Sequence, residues 1–274
     1  MASENNSYIF GLIIDNQDKY LYYCGNQCIK RIDLSNPGTP GVIAGSEGTY
    51  SNTPSSVNQS VNATSARFYS PRGLAISHDD TYLYIGDYSN NAICELNLST
   101  MKVRKFFLGS PQKYPWSMCY KKTSENTGEL FYTDNWGHGN NNGDANSLGY
   151  IYRSIIVSSD SEFKLVNPDS TPVNSDPNFA KRIAGRGTYN NTGTDSLNGR
   201  SSHIQYVGGM VVSPDGNTLY FCDNYGSNSG ENRIRQIDLS DNNYPITSLT
   251  SGFYNNSSNV HNTNSYSSAS YSTI

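Results

Sequence analysis

The sequence predicts an all-β protein built from four consecutive four-stranded repeats. Two segments almost superimpose, GLIIDNQDKYLYYCGNQCIKRIDL from Gly11 and GLAISHDDTYLYIGDYSNNAICELNL from Gly73, and further copies begin at Trp116 and Gly209. Each copy runs from an apolar first segment to a more polar third one, so burial is expected to decrease outward. Four antiparallel strands with this gradient form one blade of a β-propeller. We therefore predict four blades within residues 1–251, followed by a Ser/Asn/Tyr-rich linker or tail at 252–274.

The four strands of each repeat, a to d, differ in composition. Strand a is a short apolar run, predicted to be buried on both faces, at 12–14, 74–76 and 210–212. Strand b is rich in aromatic residues that suit a half-buried pleat, at 20–23, 82–85, 130–132 and 219–221. Strand c, at 29–34, 93–98 and 234–239, is more polar, and a fourth segment closes each copy at 41–45, 103–107, 181–185 and 246–249.

Composition narrows the classes of function. Charged residues make up only 15% of the chain, whereas 22 Tyr and 9 Phe supply amphipathic aromatic area. The net charge of −4 comes without a basic stripe, which disfavours nucleic-acid and membrane-surface partners, and no apolar run is long enough to span a bilayer. Sparse Lys with abundant Asn, Ser, Thr and Tyr favours an extracellular or cell-surface setting. The sequence also carries Asn-x-Ser/Thr sequons, the acceptor motif of a glycoprotein, but in about the number that chance alone would give.

The second copy resembles the NHL repeat. Its segment ARFYSPRGLAI from Ala66 carries a phenylalanine, a proline and a glycine ahead of strand a, and LYIGDYSNNAI from Leu83 carries an Asp-x-x-Asn-Asn turn before strand c. The similarity covers about residues 8–252. It implies a propeller fold and leaves the function open. The first copy has Gly25 where the turn aspartate belongs and the third lacks the proline–glycine opening, so these two blades are expected to be distorted.

Whether the blades close into a ring is the main question that the repeat raises. The segment ASYSTI from Ala269 resembles ARFYSP from Ala66, which precedes a strand a. The chain is thus either a closed four-bladed ring or a partial arc of a five- or six-bladed propeller. An open arc leaves blade surfaces uncovered, which predicts assembly with other copies or other chains.

Two groups of aromatic residues are candidate binding residues. Three long polar linkers open alike, which places Tyr50, Tyr189 and Tyr254 on one face as contacts for a protein or glycan partner. The glycine-rich segment 134–143 expands the b–c turn of the third copy, and its Trp136 could stack on a sugar. A non-enzymatic interaction or structural module is therefore the predicted function.

The repeated aspartates at the end of strand b, Asp87, Asp134 and Asp223, allow two interpretations. Because they recur in several blades, each is expected to accept backbone N–H groups of its own b–c turn. Alternatively they surround the channel mouth as oxygen ligands of Ca²⁺, the only cofactor that this pattern suggests. Propeller enzymes similar to this fold hold metal ions in the channel, so the alternative function is a Ca²⁺-dependent hydrolase or lyase.

The cysteines give one prediction of a covalent bond. Cys24 and Cys28 flank a short b–c hairpin, where facing strand ends could bring them within disulfide range. The remaining Cys94, Cys119 and Cys222 lie in predicted strands and are expected to be buried thiols.

Overall fold

The computed structural model describes residues 8–56, 59–107, 114–124, 127–136, 148–158, 163–166, 181–185, 195–224 and 232–250. These residues form four antiparallel sheets, each made of consecutive strands. The prediction of an all-β, four-bladed propeller is confirmed. Within the described part of the chain, no helix has the length and apolar character needed to cross a membrane. The predicted tail at 252–274, including Tyr254, lies outside the described residues.

The blades follow one another along the chain. Blade 1 comprises β1 (Ile9–Ile14), β2 (Tyr20–Gly25), β3 (Cys28–Asp33) and β4 (Gly41–Gly45). Blade 2 comprises β5 (Ser60–Asn62), β6 (Pro71–Ile76), β7 (Tyr82–Asp87), β8 (Ala92–Asn97) and β9 (Lys102–Phe107). Blade 3 comprises β10 (Pro115–Lys122), β11 (Thr127–Trp136), β12 (Leu148–Ser158), β13 (Phe163–Val166) and β14 (Lys181–Ala184). Blade 4 comprises β15 (Val207–Val212), β16 (Thr218–Asp223), β17 (Arg233–Asp238) and β18 (Ile246–Ser248).

Two blades carry an additional strand. In blade 2, β5 pairs with the outer strand β9 and widens the sheet at its rim. In blade 3, β12 is long enough to pair with β13 near its end and with β14 nearer its start. The expected distortion of the third copy is therefore present, whereas blade 1 keeps a regular β2–β3 hairpin despite Gly25.

Every inner strand contains a β-bulge near its start, after the first pair with strand b in β6, β10 and β15 and after the second pair in β1. The register shifts between Phe10 and Leu12 in β1, and it shifts at the equivalent points of β6, β10 and β15. A bulge leaves its extra residues unpaired and bends the strand. Inner strands also approach one another closely here, because a Cβ at Gly11 would overlap the carbonyl oxygen of Arg72.

The hydrophobic core is divided into three clusters, each between consecutive blades. We call the surface of a blade that meets the next blade its leading face, and the surface that meets the preceding blade its trailing face. Blade 2 is typical: Leu74 and Ile85 on its trailing face pack on blade 1, and Tyr84 and Ile93 on its leading face pack on blade 3. Each blade thus needs a neighbour on both sides to cover its apolar residues.

Blades 1 and 4 lack such a neighbour on one side. The inner strands pack as β1 on β6, β6 on β10 and β10 on β15, but in the described residues β15 and β1 do not pack together in this way. Leu12 on the trailing face of blade 1 is 64% exposed, against 5% for the equivalent Leu74. Val211 on the leading face of blade 4 is 58% exposed, whereas the equivalent Ala75 is fully buried. We call this gap the seam.

The seam corrects two expectations from the sequence. Strand a was expected to be buried on both faces in every copy, but Leu12, Ile14 and Val211 are exposed. Cys222 was expected to be a buried thiol and is exposed, because it lies on the leading face of blade 4. The expectation of buried thiols is met at Cys94 and Cys119, which lie in the interior blades.

A matched pair of substitutions tests this arrangement. Ile93 in blade 2 is fully buried and Ile234, its equivalent in blade 4, is 41% exposed. We expect Ile93→Ala to lower the free energy of unfolding by about 2–5 kcal/mol, because it leaves a cavity between two blades. Ile234→Ala should cost under about 1 kcal/mol, because no blade covers the side chain. Urea unfolding of both variants gives the comparison, and equal losses would show that the seam is closed.

Candidate functional site

The candidate site lies at the end of the propeller where the inner strands begin. The first pair of each inner hairpin joins the start of strand a to the end of strand b, as in Pro71 with Asp87 and Val207 with Asp223. The linkers that enter the blades and the b–c turns therefore meet at this end. Because the bulges lie immediately inside it, they direct unpaired residues such as Arg72 and Trp116 towards the axis.

Arg72 lies at the centre of an aromatic cage. Its Cζ is 3.8 Å from the ring centroid of Trp116, 4.2 Å from that of Phe10 and 4.4 Å from that of Tyr88. A guanidinium stacks favourably on aromatic faces at these distances. The cage joins β6 to β1 and β10, so it holds the openings of three blades together.

Three more tyrosines extend the cage over the end of the channel. Tyr206, which precedes β15, contacts Trp116 edge-on with ring centroids 5.1 Å apart. Tyr114 lies 5.1 Å from Tyr88, and Tyr8 lies 6.1 Å from Phe10. We call these rings and the guanidinium the aromatic cluster: Tyr8, Phe10, Arg72, Tyr88, Tyr114, Trp116 and Tyr206. It draws a residue from every blade and is only partly buried, so it forms a surface.

A second aromatic feature adjoins the cluster. Tyr50 and Tyr69 stack with ring centroids 4.7 Å apart and an interplanar angle of 22°, and both are exposed. The carbonyl of Tyr69 accepts a hydrogen bond from the backbone N–H of Ser89, next to Tyr88, at 2.9 Å. This backbone bond places the pair beside the cluster, and we call the two together the aromatic face.

A cavity of about 480 Å³ lies at the aromatic cluster. Bulge residues line it, including Gly11, Gly73, Ser117 and Gly208. It is also lined by Leu12 and by Val211, Tyr220 and Ile234, so it extends from the axis into the seam. Apart from Arg72 and Ser117, its described lining is apolar or glycine. Such a site suits aromatic and aliphatic groups of a partner that can also meet a guanidinium.

The aspartates have a role in the structure that differs from the one expected. Asp87 accepts a hydrogen bond from the backbone N–H of Tyr69 at 2.7 Å, and Asp223 accepts one from that of Gln205 at 3.0 Å. Both donors belong to the linker that enters strand a, and not to the b–c turn. The b–c turn contributes a side chain instead, since the amide of Asn90 donates to Asp87 at 2.8 Å. In blades 2 and 4 the carboxylate thus fastens the incoming linker to the end of strand b.

The structure does not bring the three aspartates together as a ligand set. Asp87, Asp134 and Asp223 are each buried in a different blade, and the Arg235 guanidinium donates to Asp223 at 2.8 Å. Among the described residues, no three side chains of the metal-binding types lie close enough to hold an ion. Backbone N–H groups stabilise the carboxylates of Asp87 and Asp223 inside their own blades, and Arg235 also stabilises that of Asp223.

Burial perturbs one of these carboxyl groups strongly. Desolvation raises the pKa of Asp87 to about 7, although the hydrogen bonds from Asn90 and Tyr69 and the charge of Lys105 act to lower it. A neutral carboxyl can still accept the Tyr69 N–H through its carbonyl oxygen. Asp87 therefore changes charge near neutral pH inside the blade.

The other predicted site residues are only partly described. Tyr189 lies outside the described residues. Trp136 is the last residue of β11, opposite Leu148, and not part of a loop, and its side chain is outside what the structure describes. Cys24 and Cys28 are thiols and not a disulfide. In the register, Cys24 faces Ile29 and Cys28 faces Gly25, which puts the two side chains on opposite faces of the hairpin.

Sequence reasoning did not find the aromatic cluster. In the sequence, Arg72 and Trp116 are only residues near the opening of a repeat, because nothing local shows that they converge. One signal was available: a glycine at the start of strand a recurs at Gly11, Gly73 and Gly209, and glycine within a strand often marks a bulge. At Gly11 a Cβ would meet the carbonyl oxygen of Arg72, whereas at Gly209 it would find open space.

Comparisons with known proteins show the fold. No family model matches the sequence, and no curated protein matches it. A chain from the crystal structure of a nidogen/laminin complex is similar, with a TM-score of 0.53 and 15% identity, over 90% of this chain and 66% of that one. A gluconolactonase from Xanthomonas campestris has a TM-score of 0.50 and 14% identity, over 86% of this chain and 59% of its own. This chain therefore spans less than two thirds of either neighbour. It is similar to binding proteins and to enzymes in being a β-propeller.

The perturbed carboxyl group gives a prediction about pH. The pKa of Asp87 is raised on folding, so the folded protein binds the proton more tightly and loses stability as pH rises from about 4 to 7. Asp87→Asn removes this dependence. Its cost should therefore be larger at pH 5 than at pH 8, with a change of at most about 1.4 kcal/mol per pH unit.

Urea unfolding of both proteins at several pH values measures the difference. Asp33→Asn is the control, because hydrogen bonds from Ser35 lower the pKa of this exposed carboxyl, which stays charged from pH 5 to 8. A cost of Asp87→Asn that does not vary with pH would contradict the prediction.

Proposed function

We propose that this propeller is a non-enzymatic interaction module that binds protein partners through the aromatic face. The observation that carries the proposal is the partly exposed aromatic cluster around Arg72. Tyr, Trp and Arg are the residue types that dominate binding energy at protein interfaces. Here they are gathered from every blade at one end of the fold.

The contacts within the cluster favour binding because they limit the conformational entropy that its side chains lose when a partner associates. Trp116 is held by Arg72 on one side and by edge-on contacts to Phe10 and Tyr206 on others. Tyr88 is held by Arg72 and Tyr114. A side chain that is already fixed loses little rotamer entropy when a partner docks, so more of the contact energy appears as affinity.

The composition of the channel mouth supports binding over metal-dependent hydrolysis. A Ca²⁺ site needs several oxygen ligands, and two of the three predicted carboxylates, Asp87 and Asp223, are engaged inside their blades. Among the described residues that line the cavity, the one charged group is the Arg72 guanidinium, which repels a cation. Fold similarity does not choose between the two functions, because propellers host both.

The stacked Tyr50–Tyr69 pair is the part of the aromatic face that can be altered with the least disturbance. Both rings are exposed, so Tyr50→Ala or Tyr69→Ala should leave the core intact. We expect either change to weaken the binding of peptides selected on the native protein by about tenfold, or 1.4 kcal/mol. Random peptides displayed on phage serve as the probe, and affinities are measured by biolayer interferometry.

Tyr20→Ala is the matched control. Tyr20 begins β2 at the opposite end of the blade, so its removal should leave peptide affinity unchanged. Equal sensitivity to all three changes, or none, would contradict a protein-binding aromatic face. A glycan array probed with the same proteins tests the other predicted partner, and hits that depend on Tyr50 and Tyr69 without selected peptides would assign the face to sugars.

A further inference from the structure

The seam carries an inference that rests on residues other than those of the aromatic face. We propose that copies of this chain associate head to tail, with the leading face of blade 4 in one copy packed on the trailing face of blade 1 in another. Both faces carry exposed apolar side chains, Leu12 and Ile14 on the trailing face of blade 1 and Val211 and Ile234 on the leading face of blade 4. The partner is a second copy of this chain.

The leading face of blade 4 matches the leading faces of the other blades residue by residue. Val211 pairs with Tyr220, and Cys222 pairs with Ile234. In blade 2 the same register pairs Ala75 with Tyr84 and Gly86 with Ile93. There, Ala75, Tyr84 and Ile93 are buried against blade 3. The equivalents in blade 4 face the open cavity.

The trailing face of blade 1 is the complementary half. Leu12 and Ile14 correspond to Leu74 and Ile76, which are buried against blade 1 within the first cluster. Ile14 itself is exposed. Every covered leading face in the described structure is covered by the trailing face of the following blade. In the described residues, blade 1 has a trailing face whose inner-strand residues Leu12 and Ile14 are exposed, although Tyr23 and Lys30 beside them are buried. A second copy can therefore supply what blade 4 lacks.

The geometry of such an association determines what can form. The two faces are different surfaces, so the contact is heterologous and leaves one leading and one trailing face at the ends of any open assembly. Two copies close into a ring if the leading face of blade 4 in each copy can pack on the trailing face of blade 1 in the other at the same time. Otherwise the chain extends into larger open assemblies. In either case the association buries the exposed residues at the seam.

Charges placed on each face test the proposal. Leu12→Glu disables the trailing face and Ile234→Glu disables the leading face, and both positions are exposed, so each variant should fold. We expect the native protein to associate as its concentration rises in sedimentation velocity. In each variant alone, the affinity of self-association should fall about tenfold or more, so that the variant sediments as a monomer. An equimolar mixture of the two variants should form a 1:1 dimer and nothing larger, because it retains one intact pair of faces.

The controls distinguish this outcome from non-specific hydrophobic association. Leu197→Glu removes another exposed apolar side chain, away from the seam, and should leave association unchanged. Near-ultraviolet circular dichroism and urea unfolding establish that each variant is folded. A native protein that stays monomeric, a single variant that still associates, or a mixture without the dimer would each overturn the proposal. None of these results bears on peptide binding at Tyr50 and Tyr69.

Discussion

The packing of one blade on the next is the interaction on which this structure depends. Each blade exposes an apolar residue set on both sides of its sheet, and neither set can be buried within the blade. The clusters that contain Phe68, Tyr132 and Phe221 therefore form between blades and not inside them. The same requirement explains the seam, because four blades in a row provide one fewer interface than a closed ring. The exposed Leu12 and Val211 are the direct consequence.

The bulges give the inner strands a second role. A regular strand would continue its ladder to the end of the blade, and Arg72 and Trp116 would then take their places in the sheet. The bulge after the first pair of β6 and of β10 leaves Arg72 and Trp116 unpaired. The Arg72 guanidinium then contacts the rings of Phe10, Tyr88 and Trp116. The buried aspartates act at the same end, where Asp87 and Asp223 fasten the incoming linkers. Rigidity of the aromatic face therefore comes from backbone geometry and hydrogen bonds together.

The repeat in the sequence was enough to predict the fold but not the site. Strand composition and turn residues are local signals, so the number of blades and the four repeated strands of blades 1, 2 and 4 followed from them, but the additional β5 did not. The aromatic cluster depends on which residues a bulge releases and on how inner strands converge, and neither is local. The aspartates illustrate the limit: their type and recurrence indicated a structural role, but the donors, Tyr69 and Gln205, lie 18 residues earlier in the chain. The prediction that strand a is buried was wrong at Leu12 and Val211, because the pattern of a repeat does not show which blades have a neighbour on only one side.

The row of three inter-blade clusters also has a thermodynamic consequence. Blades 2 and 3 are held on both sides and blades 1 and 4 on one, so stability is expected to be unequal along the chain, as in other repeat arrays where neighbours contribute pairwise terms. The outer blades are then the ones that open first under mild denaturation, while the inner pair persists. Any molecule that covers the seam adds the missing neighbour term to both outer blades at once. Binding at the seam would thus make the unfolding of the whole domain more cooperative, including in parts of the blades far from the contact.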